Sequence, residues 1–332
     1  MNKPNRLLRH CGVALSLLLL ALTSAAMAQS TYPSQTIKLV VPYLAGGGVD
    51  IVARLLGEQL RAQEGWNVIV DNKPGASGMI GTQFVARAPA DGYTLLMSAS
   101  GEIVVTPHLF KKQMAYDADK DLQPITLMVK VPNVLVVNTD IPARNIAELI
   151  AHGKANPGKL TFSSSGIGNS QHLAGELFNT MAGTQIVHVP YKGASQQLTD
   201  VAAKQVSMTF VSIASALPLI KSGQIKAIAV TSRERVPALP DTPALTEHKP
   251  LAGYELVNWF GFFAPAGIPA PVLARISDAA QKALKNPEFA KKLLAQGGEP
   301  TPDTPEGFRA FVRAESAKFQ RIIIESKVTL EN

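Results

Sequence analysis

Along the chain, runs of branched apolar residues alternate with segments whose apolar positions recur every three or four residues. The first complete case is Leu39-Val40-Val41-Pro42-Tyr43-Leu44-Ala45-Gly46-Gly47-Gly48-Val49-Asp50. Its opening run reads as a strand buried on both faces. Beyond the glycines, Ile51, Val52, Leu55, Leu56 and Leu60 share one face of a helix. A strand that breaks on glycine and re-enters as a helix leaves unpaired N–H groups at the positive end of the helix dipole. Such a place suits an anion.

The alternation continues. Trp66 to Val70 predicts a second strand, Lys73 to Thr82 a second glycine-broken entry to a helix, and Tyr93 to Ser100 a third strand. This β-α-β-α-β order implies parallel strands with loops gathered at their carboxyl ends, where ligands bind in open α/β sheets. Ile125 to Val129 and Val134 to Val137 are two apolar runs after a charged, turn-rich stretch. Asn145 with Glu148 has the spacing of a capping box opening a helix to about Asn156. The strand Leu160 to Ser165 then passes through Gly166-Ile167-Gly168-Asn169-Ser170 into a helix carrying Leu173, Leu177 and Met181 on one face. Strands at Ile186–Tyr191, Val206–Ser212 and Ile225–Thr231 alternate with helices near 195–204 and 214–222, making a second α/β unit.

The tail differs. Trp259 to Pro265 is a dense apolar run, followed by helices opening at Pro271 and Pro287 and a last one carrying Phe308, Phe311, Phe319 and Ile322. With little strand of its own, the tail is expected to pack on a unit already present.

The start of the chain concerns its destination. Lys3, Arg6 and Arg9 precede the apolar run Val13 to Leu22, and Ala26-Met27-Ala28 gives a small-x-small cleavage site. That is the pattern of a cleavable signal peptide over residues 1–28, ending near Ala28-Gln29, and it predicts an exported, periplasmic protein. The only cysteine, Cys11, lies inside it, so the mature chain is expected to hold no disulfide and no thiol chemistry. Removing that segment deletes three bases and no acid, taking the net charge from +7 to +4. The remaining bases are scattered and aromatics are 6% of the chain, which argues against a nucleic-acid surface.

Other chemistries find no motif. Gly48 is followed by Val49-Asp50 where a phosphate-binding P-loop needs Lys-Ser/Thr, and the dinucleotide fingerprint fails at Ile51. Gly168-Asn169-Ser170-Gln171-His172 lacks the final glycine of a nucleophile elbow. His172 and Glu176, one helical turn apart, offer half a metal site with no second pair to complete it. No enzyme activity, metal or cofactor is therefore expected.

Seven segments in order resemble the tripartite tricarboxylate transporter substrate-binding family, also called the Bordetella uptake gene or Bug proteins. They are Leu39 to Pro42 with Gly46-Gly47-x-x-Asp50-Ile51-Val52-Ala53-Arg54; Asn72 to Ala76; Asp91 to Leu96; Pro157 to Leu160; His172 to Phe178; Val187 to Gly193; and Trp259-Phe260-Gly261-x-x-Ala264-Pro265. The resemblance implies an α/β, two-lobed periplasmic binding-protein fold of type II character, with mainly parallel sheets flanked by helices and the ligand in the cleft between lobes. It implies a discontinuous first lobe, residues 31–130 plus 256–332, and a second lobe, 131–255. It further implies a monomer that captures a small organic carboxylate (a dicarboxylate, an amino acid or an aromatic acid) and delivers it to membrane permease subunits. The residues leave two other readings: a sensor protein as partner in place of the permease, and an exported hydrolase using Ser170 with His172.

By the same resemblance the carboxylate is clasped by two loops. The expected donors are the amides of Ala45, Gly46, Gly47 and Gly48 beside Tyr43, and amides or hydroxyls of Ser164, Ser165, Gly168 and Ser170. One helix start contributes ~0.3–1 kcal/mol to an exposed anion and a hydrogen bond to charge ~1.5–3, whereas micromolar binding needs about 8. Two loops are therefore required. Neither contains Lys or Arg. Asp50 would repel a bound acid, so its expected work beside the site is to cap the helix and hold the glycine turn. Ser98 and Ser100 are expected to line the crevice. Lys192 and Trp259 each have two readings, pocket or not. Glu102-Ile103 stands where family members often carry Thr-His, and Val211-Ser212 where they often carry Asp-Asn. Glu102 either reaches the pocket, favouring a ligand with a hydrogen-bond donor, or lies in an exposed turn.

Overall fold

The computed structural model describes residues 32–191, 193–326 and 328; the candidate signal segment and Lys192 lie outside them. In the first α/β unit, β1 (Ile37–Val41) leads to α1 (Gly48–Glu64), β2 (Val68–Asn72), α2 (Met79–Ala86) and β3 (Thr94–Ala99). The strand β1 is a continuous apolar run because both its faces are covered. Leu39 and Val41 join one apolar cluster with α1, while Val40 joins another across the sheet. It pairs in parallel with β2 and β3, as the strand–helix alternation predicts.

The long strand β4 (Leu122–Asn138) organises the molecule. Up to Pro132 it runs antiparallel to β9 (Val257–Pro265), which in turn pairs with β3. From Asn133 onward its partners are β7 (Met208–Ser212) and β8 (Ile225–Val230). The second α/β unit adds α3 (Ile146–Ala155), β5 (Thr161–Ser164), α4 (Ser170–Ala182), β6 (Val187–Pro190), α5 (Ala194–Ala202) and α6 (Ile213–Lys221). Half of the expected capping box of α3 is present: Glu148 N donates to Asn145 Oδ1 at 3.0 Å, but the Glu148 carboxylate accepts from Arg144 N, one residue before the cap, instead of from Asn145 N. Strand β5 pairs in parallel with β6 and β7. Two half-sheets, ordered β2-β1-β3-β9-β4 and β8-β4-β7-β5-β6, thus share one strand, with parallel outer strands and antiparallel strands at the junction.

The tail supplies α7 (Ala270–Lys285), α8 (Pro287–Ala295), the short β10 (Glu299–Pro300) on β4, and α9 (Pro305–Glu325). Ile276, Ala280 and Leu284 of α7 bury against the α1 side of the first half-sheet. Phe308, Phe319 and Ile322 of α9 bury on its other face with Trp259 and Phe263. The tail therefore covers the first unit and adds no third one.

Candidate functional site

Where the half-sheets meet, a cavity of about 70 Å³ opens between the β1–α1 and β5–α4 turns. At about 10–15 Å³ for each water-sized sphere, it holds several waters or a compact acid. Tyr43, Ala45, Gly47, Gly48 and Val49 form one wall. Gly46 takes a positive φ of 82° to make the turn, and Gly47 is the N-cap of α1 without a side-chain cap, so the first helical amides are left for a ligand. Gly48 also has to be glycine for space: a Cβ there would sit 3.1 Å from Phe260 Cζ and 3.4 Å from Ser212 Oγ.

Asp50 stands behind this turn, 2% exposed. Its carboxylate accepts from Gly46 N at 2.9 Å, from Arg54 at 3.0 Å on each oxygen, and from Asn72 Nδ2 at 3.0 Å. Burial opposes its charge, but the bonds from Arg54, Gly46 and Asn72 outweigh burial and hold its carboxyl below the usual range. Asn72 also reaches Tyr43 O at 3.0 Å, tying the turn to β2. The Gly46 amide is thus engaged by Asp50 and, contrary to the expectation from sequence, is not a free donor.

The opposite wall departs further from expectation. Asn169 caps α4, its Oδ1 accepting from Gln171 N at 3.0 Å and His172 N at 2.9 Å. Ser165 N donates to Gln171 Oε1, Gly166 N to Ser164 Oγ, and Gly168 N to His172 Nδ1. With these amides taken inside the loop, Gly168 is no ligand donor. A Cβ at Gly168 would instead meet Phe110 at 2.9 Å.

What this side offers is side-chain carboxamide. Asn133, Asn169, Gln171 and Asn258 all line the cavity. The oxygen of Gln171 accepts from Ser165 Oγ at 2.7 Å and Gln197 Nε2 at 3.2 Å besides Ser165 N. Gln197, wholly buried, is itself fixed by Thr209 Oγ1 at 2.9 Å. The oxygen of Asn258 accepts from Ser100 Oγ at 2.8 Å and Trp259 N at 2.9 Å. With their oxygens held, Asn169, Gln171 and Asn258 turn an NH₂ group away from those partners. The Nδ2 atoms of Asn133 and Asn169 are buried without a hydrogen-bond partner among the described residues. Buried donors without acceptors are rare and costly, and here they lie in the wall of a cavity. No charged side chain is present among the described residues of that wall.

Of the sequence candidates, Tyr43, Ala45, Gly47, Gly48, Ser165 and Ser170 come together around the cavity. Ser98 and Ser100 do not line it: Ser98 Oγ donates to Glu102 Oε1 at 2.6 Å, and Ser100 orients Asn258. Ser164 is also set back, its hydroxyl bonded to His188 Nε2 at 2.6 Å and Gly166 O at 2.8 Å. Glu102 matches neither reading. It is fully buried in a π-helical turn, Gly101–Val105, where burial raises its carboxyl against the lowering bonds from Ser98 and Tyr43. Trp259 is core, its Nε1 bonded to Glu315 at 3.1 Å, and its neighbour Phe260 faces the cavity instead. His172 stacks on His188 with ring centroids 4.1 Å apart, and no group of three or more candidate metal ligands occurs among the described residues. Sequence reasoning missed Asn133, Asn169, Gln171, Ser195, Ser212 and Asn258. Ser212 had a visible signal, standing where family members often carry Asp-Asn, and so had Ser195, after a fourth strand–glycine–helix entry at Gly193.

A family model described as "Tripartite tricarboxylate transporter family receptor" matches residues 52–328. The chain belongs to that receptor family. Among curated relatives of this receptor is the UPF0065 protein in the tcbD-tcbE intergenic region of Pseudomonas sp. (strain P51). It is 36% identical over 319 residues, covering 96% of this chain and 93% of the relative. Among solved structures, the periplasmic binding protein BugD superposes with a TM-score of 0.84 at 36% identity, covering 90% of this chain and 99% of that one. The structure of R. palustris Rpa4515 with adipate superposes with a TM-score of 0.87 at 32% identity, covering 90% and 99%. The receptor therefore has the two-lobed α/β periplasmic binding-protein fold, and its family is one of solute-binding transport receptors. No helix among its described residues is long and apolar enough to cross a membrane.

Among the described residues of this receptor, Ser170 and His172 are not paired. His172 Nδ1 is occupied by the Gly168 amide and Nε2 faces Glu176 at 3.8 Å, so the imidazole is not set against Ser170. The Ser164–His188 pair has the right distance, but Ser164 is fully buried and lies outside the cavity wall.

Proposed function

We propose that this receptor captures a small organic carboxylate in the cavity and passes it to the membrane permease of a tripartite tricarboxylate-type transporter. The supporting observation is the wall itself: uncapped amides at the start of α1 on one side, and carboxamide NH₂ groups with fixed oxygens on the other. Such a wall recognises negative charge without a counter-charge. That keeps desolvation cost low and lets the ligand leave. Binding in a related receptor with adipate agrees with this chemistry.

In the same reading, residues 1–28 are removed on export to the periplasm and the mature protein works as a monomer without catalysis. Residues 31–130 plus 256–332 move as one lobe against 131–255, hinged where β4 changes partners between Pro132 and Asn133. Lys192 and its place relative to the cavity lie outside the described residues.

The test is a thermal-shift and calorimetric screen of the chain from Gln29 against C3 to C6 mono- and dicarboxylates. A ligand at a hundred times its Kd adds about 2.7 kcal/mol of stability, a rise of several degrees in Tm. One-to-one binding without product formation is expected. No shift with any acid, or turnover of a bound one, would overturn the proposal.

A further inference from the structure

Behind the β1–α1 turn sits a carboxylate that no cation among the described residues accompanies. Tyr43 donates its hydroxyl to Glu102 Oε2 at 2.5 Å. The other oxygen of Glu102 accepts from Ser98 Oγ at 2.6 Å and from the Ala99 amide at 2.8 Å. All these partners are neutral, and Glu102 has no exposure to solvent. The turn that holds it is braced by Tyr116, whose hydroxyl reaches Glu102 O at 2.6 Å.

The consequence falls on Tyr43, which lines the cavity. A phenol has one proton and two lone pairs. With the proton directed to Glu102, the phenolic oxygen has only lone pairs left for a ligand. Its position relative to the donors is fixed by Gly101, also in the wall. A Cβ at Gly101 would lie 3.4 Å from Asn169 Cβ and 3.6 Å from Tyr43 Oη. The phenolic oxygen and the Asn169 side chain therefore both border Gly101.

We infer that Glu102 fixes Tyr43 as a hydrogen-bond acceptor toward the cavity, so that the preferred ligand carries a hydroxyl or ammonium group next to its carboxylate. This rests on the carboxylate reading above and narrows it to 2-hydroxy and 2-amino acids. Tyr43 touches the ligand; Glu102 is a positioning residue that acts through it. An acid without the 2-substituent leaves the lone pairs of the phenolic oxygen without a donor, and a site built around a ligand's hydrogen-bonding group disfavours ligands lacking it.

Matched pairs test this: lactate against propionate, malate against succinate, and 2-hydroxyglutarate against glutarate, each titrated calorimetrically. The wild type is expected to bind the hydroxy acid of at least one pair tenfold or more tighter than its partner. Tyr43→Phe should bring the two members within threefold. In Glu102→Gln, the carbonyl stays with Ser98 and Ala99, so the new NH₂ donates to Tyr43 and turns the phenolic proton into the cavity. The preference should then vanish or invert. If the wild type binds both members of every pair equally, or favours the unsubstituted acids, this inference falls and the carboxylate reading stands. If none of the six binds, nor alanine, aspartate or glutamate as the amino counterparts, this inference falls, and the carboxylate reading falls only if the wider screen above also fails. Should Glu102→Gln fail to fold, the wild type and Tyr43→Phe decide the matter alone.

Discussion

Asp50 shows how a residue outside the cavity governs it. Four donors from Gly46, Arg54 and Asn72 converge on its two oxygens, fixing both the glycine turn and the start of α1. In Asp50→Asn, one oxygen becomes an NH₂ facing donors, which costs about 1–3 kcal/mol of stability through unsatisfied groups. Arg54 is half exposed, so the ion-pair part of that loss is screened by solvent. The expected result is a lower urea midpoint together with carboxylate affinity reduced tenfold or more; unchanged affinity would show that the turn holds its shape without Asp50. At this scale the first wall was legible, because three successive glycines before an amphipathic helix mark a backbone-donor turn. The second wall was not. Asn169 and Gln171 are residue types common at caps and surfaces, and nothing in their spacing reveals that their oxygens are taken and their NH₂ groups left over.

The element that supports the second wall is the pairing of α4 with β5 and β6, where His172 and His188 stack against Phe162. Burial holds His188 down to about 4, and burial with His188 alongside holds His172 down to about 3, both from an ordinary 6.5. Since the folded state refuses protons that the unfolded state accepts, their contribution to stability is full above pH 6.5. It is lost progressively as pH falls toward 4. The buried acids Glu102 and Glu176, with raised carboxyls, run in the opposite sense, and Asp50 weakens stability only below its unfolded value of 3.8. A comparison of variants therefore isolates the imidazoles. Between pH 7 and 4, wild type should lose more Tm than His188→Gln, whose amide can still bond Ser164. Parallel pH profiles would mean that the pair charges freely in the folded protein. This stack leaves no local pattern along the chain, since His172 and His188 lie on different elements. The elements themselves were readable from their periods of two and 3.6.

Over the whole molecule, the alternation of strand and helix foretold two α/β units, but not that one 17-residue strand serves both. Pro124 and Pro132 argue against a central strand, since each removes a ladder donor. The structure accommodates them with a shift of register between Pro124 and Thr126, and by placing Pro132 where β4 exchanges β9 for β7 and β8. Such compensation is a property of pairing across the chain and leaves no local trace. On the lobe motion proposed above that exchange point is the hinge, and the mouth would open where the two units also touch. Ser77 Oγ donates to Ile167 O at 2.8 Å, and a Cβ on Gly166 would lie 3.7 Å from Ser77 Cβ. This spacing suits a disulfide, whose Cβ atoms lie about 3.8 Å apart. Ser77→Cys with Gly166→Cys, in a chain starting after Cys11, should therefore form a bridge on oxidation. Gly166 has φ of 132°, so the variant will be somewhat less stable when reduced. If ligand enters by separation of the units, the oxidised protein should take up and release carboxylate at least tenfold more slowly than the reduced protein, with the rates restored by dithiothreitol. Equal rates in both states would mean that the cavity exchanges its ligand without opening at this mouth.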